Sequence, residues 1–389
     1  MTYVAGFTST GSKRPEALFG SGASGMPRRM IRSSGCRVWD EAGREYLDYI
    51  MALGAVALGY AHPAVVRAAV AAVEQGGIGP LPPVLEEEVA EVLCRRISAL
   101  ERVRFLKTGA EAVAAAVRLA RVATGREAVL GCGYHGWLDW CQGADAAGVP
   151  AGIRALYGEI PFNDPARTRE RIRAAGDRLA AVVMEPVILR PPDPQWLAVV
   201  REETARIGAL LIVDEIKTVC RLGLGGGCER YGIKPDLVVL GKAIANGFPL
   251  AAVGGRAEVM ELVTRTWISS TLATESVALA AAKATLAVVD EAGVPAHITA
   301  TGGRLLEGFR TLAARHAGVV VGVAGIPEMC HLEYRDEPLS GRVAAACAER
   351  GLLLKRGAYN FVSLAHDPAT VDRSLAILDD ALSAVSRSA

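Results

Sequence analysis

Lys242 follows the apolar run Leu237-Val238-Val239-Leu240 and opens Gly241-Lys242-Ala243-Ile244-Ala245-Asn246-Gly247, so an amine falls where a strand gives way to a glycine-bearing loop. Burial disfavours the ammonium form and lowers the pKa, which leaves a nucleophile able to form a Schiff base with an aldehyde. The chain has seven lysines against thirty-six arginines, so a lysine in apolar surroundings requires an explanation. A second apolar run, Leu210-Leu211-Ile212-Val213, ends in Asp214-Glu215. A carboxylate there can keep a pyridine nitrogen protonated, which makes the ring an electron sink. Singly, each residue has an ordinary reading: a strand-end lysine snorkelling to water, or an aspartate capping a helix. Together they are the two halves of a pyridoxal phosphate (PLP) site. A lysine so placed can also move a proton to and from a substrate carbon, and Ile216, two residues past Asp214 on the same strand face, can pack under the ring.

The remaining parts lie upstream. Arg102-Val103-Arg104-Phe105-Leu106-Lys107 reads as a strand that enters the tight turn Thr108-Gly109 and then the amphipathic helix of Ala110-Glu111-Ala112. Free backbone N–H groups at 109–111 and the helix dipole then point at one spot, which suits a phosphate, although such a turn by itself more often only caps a helix. In Gly133-Tyr134-His135-Gly136-Trp137 the glycines let a flat ligand approach the backbone, and Tyr134 can stack on a ring or cap the core. His135 reads as a structural hydrogen bonder.

The elements that must carry these residues alternate. Helices are expected at 63–75, 84–98, 110–123, 167–175 and 194–207, with strands at 102–106, 127–131, 179–185, 209–215, 236–240 and 250–254. That pattern implies an α/β fold with a mostly parallel central sheet and helices on both faces. Residues 36–50 read as a hairpin turning near Glu41-Ala42-Gly43. Helices at 276–291 and 296–316, short strands near 318–324, 328–333, 352–355 and 361–365, and helices near 339–350 and 368–387 make a smaller C-terminal α+β domain. The expected domains are an N-terminal arm and hairpin (1–50), a large PLP-binding domain (51–285) and a small C-terminal domain (286–389).

With 51% hydrophobic and 22% charged residues, 389 residues suffice for a large core. A net charge of +1 supplies no field for nucleic acid or an anionic membrane, so the basic spots Arg28-Arg29 and Arg167 to Arg173 read as solvated faces. The eight cysteines form no CxxC pair and no metal-like spacing with histidine, and neither a signal peptide nor a membrane span is expected. A reducing, cytoplasmic setting and small-molecule chemistry without a metal are expected.

The ordered set of phosphate turn, Tyr134-His135-Gly136, Glu185-Pro186-Val187, Asp214-Glu215 and Gly241-Lys242 resembles the class III aminotransferases of fold type I, in particular their glutamate-1-semialdehyde aminomutase branch. The likeness runs from Val38-Trp39-Asp40, Asp48-Tyr49 and Gly59-Tyr60-Ala61-His62-Pro63 to Ser363-Leu364-Ala365-His366. It implies that Lys242 is the Schiff-base lysine, Asp214 the partner of the ring nitrogen and Tyr134 the stacking ring. It also implies that Thr108, Gly109 and Ala110 bind the phosphate, that Glu185 is the site glutamate, and that Thr271 reaches the phosphate of the neighbouring subunit. A homodimer with shared active sites follows from the resemblance.

The chain departs from the family pattern. Lys107-Thr108-Gly109-Ala110-Glu111 stands where the family has Asn-Ser-Gly-Thr-Glu, so one hydroxyl is lost and a lysine gained. Lys217 precedes Val219-Cys220-Arg221 in place of Gly-Phe-Arg, and Ala273-Thr274-Glu275 follows the phosphate threonine where Gly-Asn-Pro is usual. The aminomutase's N-terminal Ser-Pro-Val-Arg is missing, with Arg14-Pro15, Arg28 and Arg29 as loose stand-ins, so glutamate-1-semialdehyde is not the expected substrate. The expected activity is transamination of a small amino acid or amino or carbonyl metabolite of specialised metabolism. The alternatives are elimination, replacement, racemisation or carbon–carbon bond formation on the same cofactor, or a non-catalytic scaffold.

Overall fold

A computed structural model describes residues 3–20, 24–143 and 146–387. The chain forms two compact units, one of residues 63–295 and one of residues 1–62 with 296–389. This division does not follow chain order.

The larger unit is built on a seven-stranded sheet. From one edge to the other its strands are Arg102–Leu106, Ala251–Gly255, Leu237–Leu240, Leu210–Asp214, Leu179–Met184, Ala128–Cys132 and Tyr157–Glu159. Ala251–Gly255 runs antiparallel to both neighbours, and the pairings from Leu237–Leu240 to Tyr157–Glu159 are parallel. Central strands covered on both faces need apolar residues at every position rather than at alternate ones. Leu179–Met184 and Leu237–Leu240 are buried throughout for that reason.

Helix Gly109–Thr124 packs on this sheet and buries Ala112, Val113, Ala116, Val117, Leu119 and Ala120. Thr108 and Glu111 cap its start reciprocally, and Gly125 ends it with φ +68, a left-handed conformation that costs glycine nothing. Helix Pro194–Ile207 starts on an Asp193 cap and sets Trp196 in the core, where its Nε1 donates to Thr168 Oγ1 at 3.0 Å. Behind it, Glu203 is buried and accepts from Arg169, Arg173 and Arg206.

Parallel strands all end on one side of a sheet. Asp214 is the last residue of its strand, Lys242 lies just past Leu240, Gly133 and Tyr134 just past Cys132, and Glu185 just past Met184. The strand ends therefore deliver the candidate residues to one edge, the usual place for a ligand in open α/β sheets.

In the second unit, Met30–Ser34, Arg37–Asp40 and Glu45–Asp48 form an antiparallel meander that Leu352–Leu353 extends in parallel. Val320–Ile326, Met329–Tyr334 and Asn360–Phe361 form a three-stranded sheet. The strand expected over 361–365 ends at Phe361, because Leu364 donates to Ala57 O and the backbone and side chain of Ser363 bond to His366 Nδ1 instead. All eight cysteines are unpaired. Among the described residues no helix is long and apolar enough to cross a membrane.

Candidate active site

A cavity of about 350 Å³ opens at the strand ends of the larger unit. Its walls include Thr108, Gly109, Ala110, Tyr134, Glu185, Asp214, Ile216 and Lys242, eight of the nine residues singled out from the sequence. The ninth, Thr271, is exposed and does not line this cavity.

Lys242 begins a 3-10 turn, Lys242–Ala245, and has φ +46. A non-glycine residue in the left-handed region persists only where its surroundings over-determine it, and such residues concentrate at functional sites. Burial lowers its pKa to about 8, helped by the charge of Lys217 and opposed by Asp214 and Glu185. The neutral fraction of the amine near physiological pH is thus far larger than that of an exposed lysine.

Asp214 is 3% exposed and held at both oxygens. Oδ2 accepts from His135 Nδ1 at 2.9 Å and Oδ1 from the backbone N–H of Ile216 at 3.1 Å. Ile216 therefore reaches the cavity from the turn after the strand, not from the strand itself, because the aspartate side chain bends the backbone at that point. His135 is 3% exposed, its Nδ1 carries the proton given to Asp214, and its Nε2 is buried without a partner. Its reading as a hydrogen bonder holds, and the bond it makes fixes the carboxylate that matters most. The Tyr134 ring is 71% exposed and borders the cavity, so it does not cap the core.

Glu185 and Lys217 form a buried ion pair, Nζ to Oε2 2.8 Å, and both line the cavity. Burial pushes the Glu185 carboxyl up, against the pull of Lys217. Gly133, with φ +112, makes room for this carboxylate: a Cβ there would lie 2.7 Å from Glu185 Cγ and Oε2. Two further glycines allow close packing around the floor. A Cβ on Gly109 would meet Ile216 Cδ1 at 2.4 Å, and one on Gly136 would meet Ala110 Cβ at 2.6 Å.

Of the three N–H groups expected to be free at 109–111, that of Glu111 is used by Thr108 Oγ1. Those of Gly109 and Ala110 are left at the head of the helix. Of the lysines gained against the family pattern, Lys107 and Lys217 both line the cavity; Arg28 and Arg29 belong to the other unit, each over the Phe7 ring. Phe248, Pro249 and Leu250 also line it, and only their place just after the lysine loop could have marked them. The donor and acceptor set fits PLP: an amine for the aldehyde, a fixed carboxylate for the ring nitrogen, an unstacked tyrosine and open N–H groups for a phosphate.

Comparison with known proteins agrees. The family model for aminotransferase class-III matches residues 19–385. A glutamate-1-semialdehyde 2,1-aminomutase of Sorangium cellulosum is 35% identical over 400 residues, covering 92% of this chain and 90% of the relative. The PLP internal aldimine form of the Sphingopyxis sp. MTA144 FumI protein superimposes with a TM-score of 0.89 at 28% identity, covering 94% of this chain and 90% of that one. An omega-transaminase from Sphaerobacter thermophilus gives a TM-score of 0.85 at 28% identity, covering 92% and 91%. Fold type I architecture and PLP as cofactor go with this match, and the chain belongs to the class III aminotransferases.

Proposed function

We propose that the chain transfers an amino group between a small amino acid, or amino-bearing metabolite, and a carbonyl acceptor in specialised metabolism. The observation that carries this reading is the convergence of a lysine whose pKa burial lowers, Lys242, and a fixed carboxylate, Asp214, on one cavity. When bound, PLP supplies an electron sink that lets an amino acid lose its α-proton. Lys242 would hold the cofactor through its amine and, once released, take and return a proton at the substrate carbon, a role suited to an amine with a pKa near 8. Asp214, oriented by His135, would keep the ring nitrogen protonated. Tyr134 and Ile216 would flank the ring, and Gly109 and Ala110 would give backbone N–H groups to the phosphate beside Thr108. Glu185 would act through its pairing with Lys217, shaping the wall opposite Gly133. We further propose a homodimer in which Thr271, exposed on its own subunit, reaches the neighbouring phosphate.

The likeness to the Sorangium cellulosum aminomutase favours a second reading in which the amino group moves within one molecule. Turnover separates the two. The PLP-loaded protein is offered amino donors with and without a keto acid, and the fate of the amino nitrogen is followed by isotope label. Label in the added keto acid supports transamination, whereas product formed equally well without it supports an isomerase or another PLP outcome.

A further inference from the structure

Three of the seven lysines, Lys107, Lys217 and Lys242, line one cavity in a chain that otherwise relies on arginine. Lys242 is the amine with the lowered pKa, and Lys217 pairs with Glu185. Lys107 stands directly before the helix head, and its side chain is only 13% exposed. Its Nζ lies 2.6 Å from Glu275 Oε1. Glu275 is itself fixed, since Oε2 accepts from Val277 N at 2.8 Å and Oε1 from Ala278 N at 3.0 Å as the cap of helix Ser276–Glu291. The capping carboxylate thus holds the ammonium at the cavity wall.

A phosphate needs donors, and the side chains of the helix head supply none. The Thr108 hydroxyl gives its proton to Glu111 Oε2 at 3.0 Å, position 110 is alanine, and Glu111 is an acceptor that also takes the N–H groups of Lys107 and Thr108. Two backbone N–H groups and one ammonium remain. We infer that Lys107 is a cofactor-phosphate ligand, supplying the charge that a hydroxyl-poor helix head lacks, and that Glu275 is its positioning residue. This rests on the PLP reading of the site.

The test compares equilibrium binding of PLP and of pyridoxal, which lacks the phosphate, to apoprotein, read by absorbance. Losing one charge-assisted bond to phosphate should weaken PLP binding by roughly 10- to 100-fold in Lys107→Met. Pyridoxal binding should change by less than about 2-fold, being a contact to a different group. Glu275→Gln keeps the ammonium and a capping oxygen but loses the carboxylate that positions it, so it should weaken PLP binding by roughly 2- to 5-fold, less than Lys107→Met, with pyridoxal binding unchanged. The double variant Lys107→Gln/Glu275→Gln leaves no buried charge unpaired and should still lose PLP selectively. Inorganic phosphate should compete with PLP for the parent protein and much less for either Lys107 variant. Equal PLP affinity in parent and Lys107 variants, or equal loss of PLP and pyridoxal, overturns the inference. Failure of the parent protein to bind PLP at all overturns the functional reading instead.

Discussion

The ionisation of Lys242 can be read residue by residue. With a pKa of about 8 against an ordinary 10.5, roughly 9% of the amine is neutral at pH 7, compared with about 0.03% of an exposed lysine, an excess of roughly 300-fold. The sign follows from burial, which penalises the ammonium; reactivity should rise with pH and level off above about 8. The assay is competitive reductive methylation of the folded apoprotein across pH 6 to 11, with each lysine quantified by peptide mass spectrometry and the exposed lysines of the same sample as reference. Two variants separate charge from burial. Lys217→Met removes a neighbouring cation and should move the Lys242 inflection up, whereas Glu185→Gln removes an anion and should move it down. If Lys242 titrates with the exposed lysines, or if both variants shift it the same way, the electrostatic account of this site is wrong.

Crowding, support and charge in the larger unit lead to four further outcomes. Gly109→Ala should cost about 1–3 kcal/mol of stability through overpacking, and adding Ile216→Val, which deletes the offending Cδ1, should restore most of it in thermal melts. Gly136→Ala should be worse than Gly109→Ala, because its Cβ meets the methyl and backbone of Ala110, which cannot swing aside, and φ is +102. His135→Phe removes one hydrogen bond to Asp214 and should weaken PLP binding by about 5- to 10-fold in a spectral titration without unfolding the protein. Glu203, held down to about 2 chiefly by its hydrogen bond to Arg173, contributes stability that is complete above its ordinary 4.5 and lost as pH falls through about 2. Glu203→Gln should therefore lower the melting temperature at neutral pH, with the gap to the parent narrowing in acid; a gap independent of pH refutes the charge argument.

The periodic parts of the fold were legible in the chain. Helices Pro194–Ile207, Ser276–Glu291 and Pro368–Arg387 and strand Arg102–Leu106 match their expected limits, because caps and apolar period act locally. The weaker elements were not legible. Strand Tyr157–Glu159 has three residues, and strand Met30–Ser34 is mostly exposed, so neither carries a hydrophobic period. The Lys242 and Asp214 pairing could be read because both follow apolar runs that can only be buried strands.

The sequence by itself determined which residue types meet at the strand ends, since parallel strands deliver their last residues to one edge. Only the tertiary structure decided which side chains pair there. His135 bonds to Asp214 from 79 residues away, Lys217 to Glu185 from 32, and Lys107 to Glu275 from 168. Those choices depend on strand order, in which Leu237–Leu240 lies beside Leu210–Asp214 while Arg102–Leu106 lies beside Ala251–Gly255. Strand order is settled by burying all the apolar faces at once, a constraint on the whole chain that no single segment expresses.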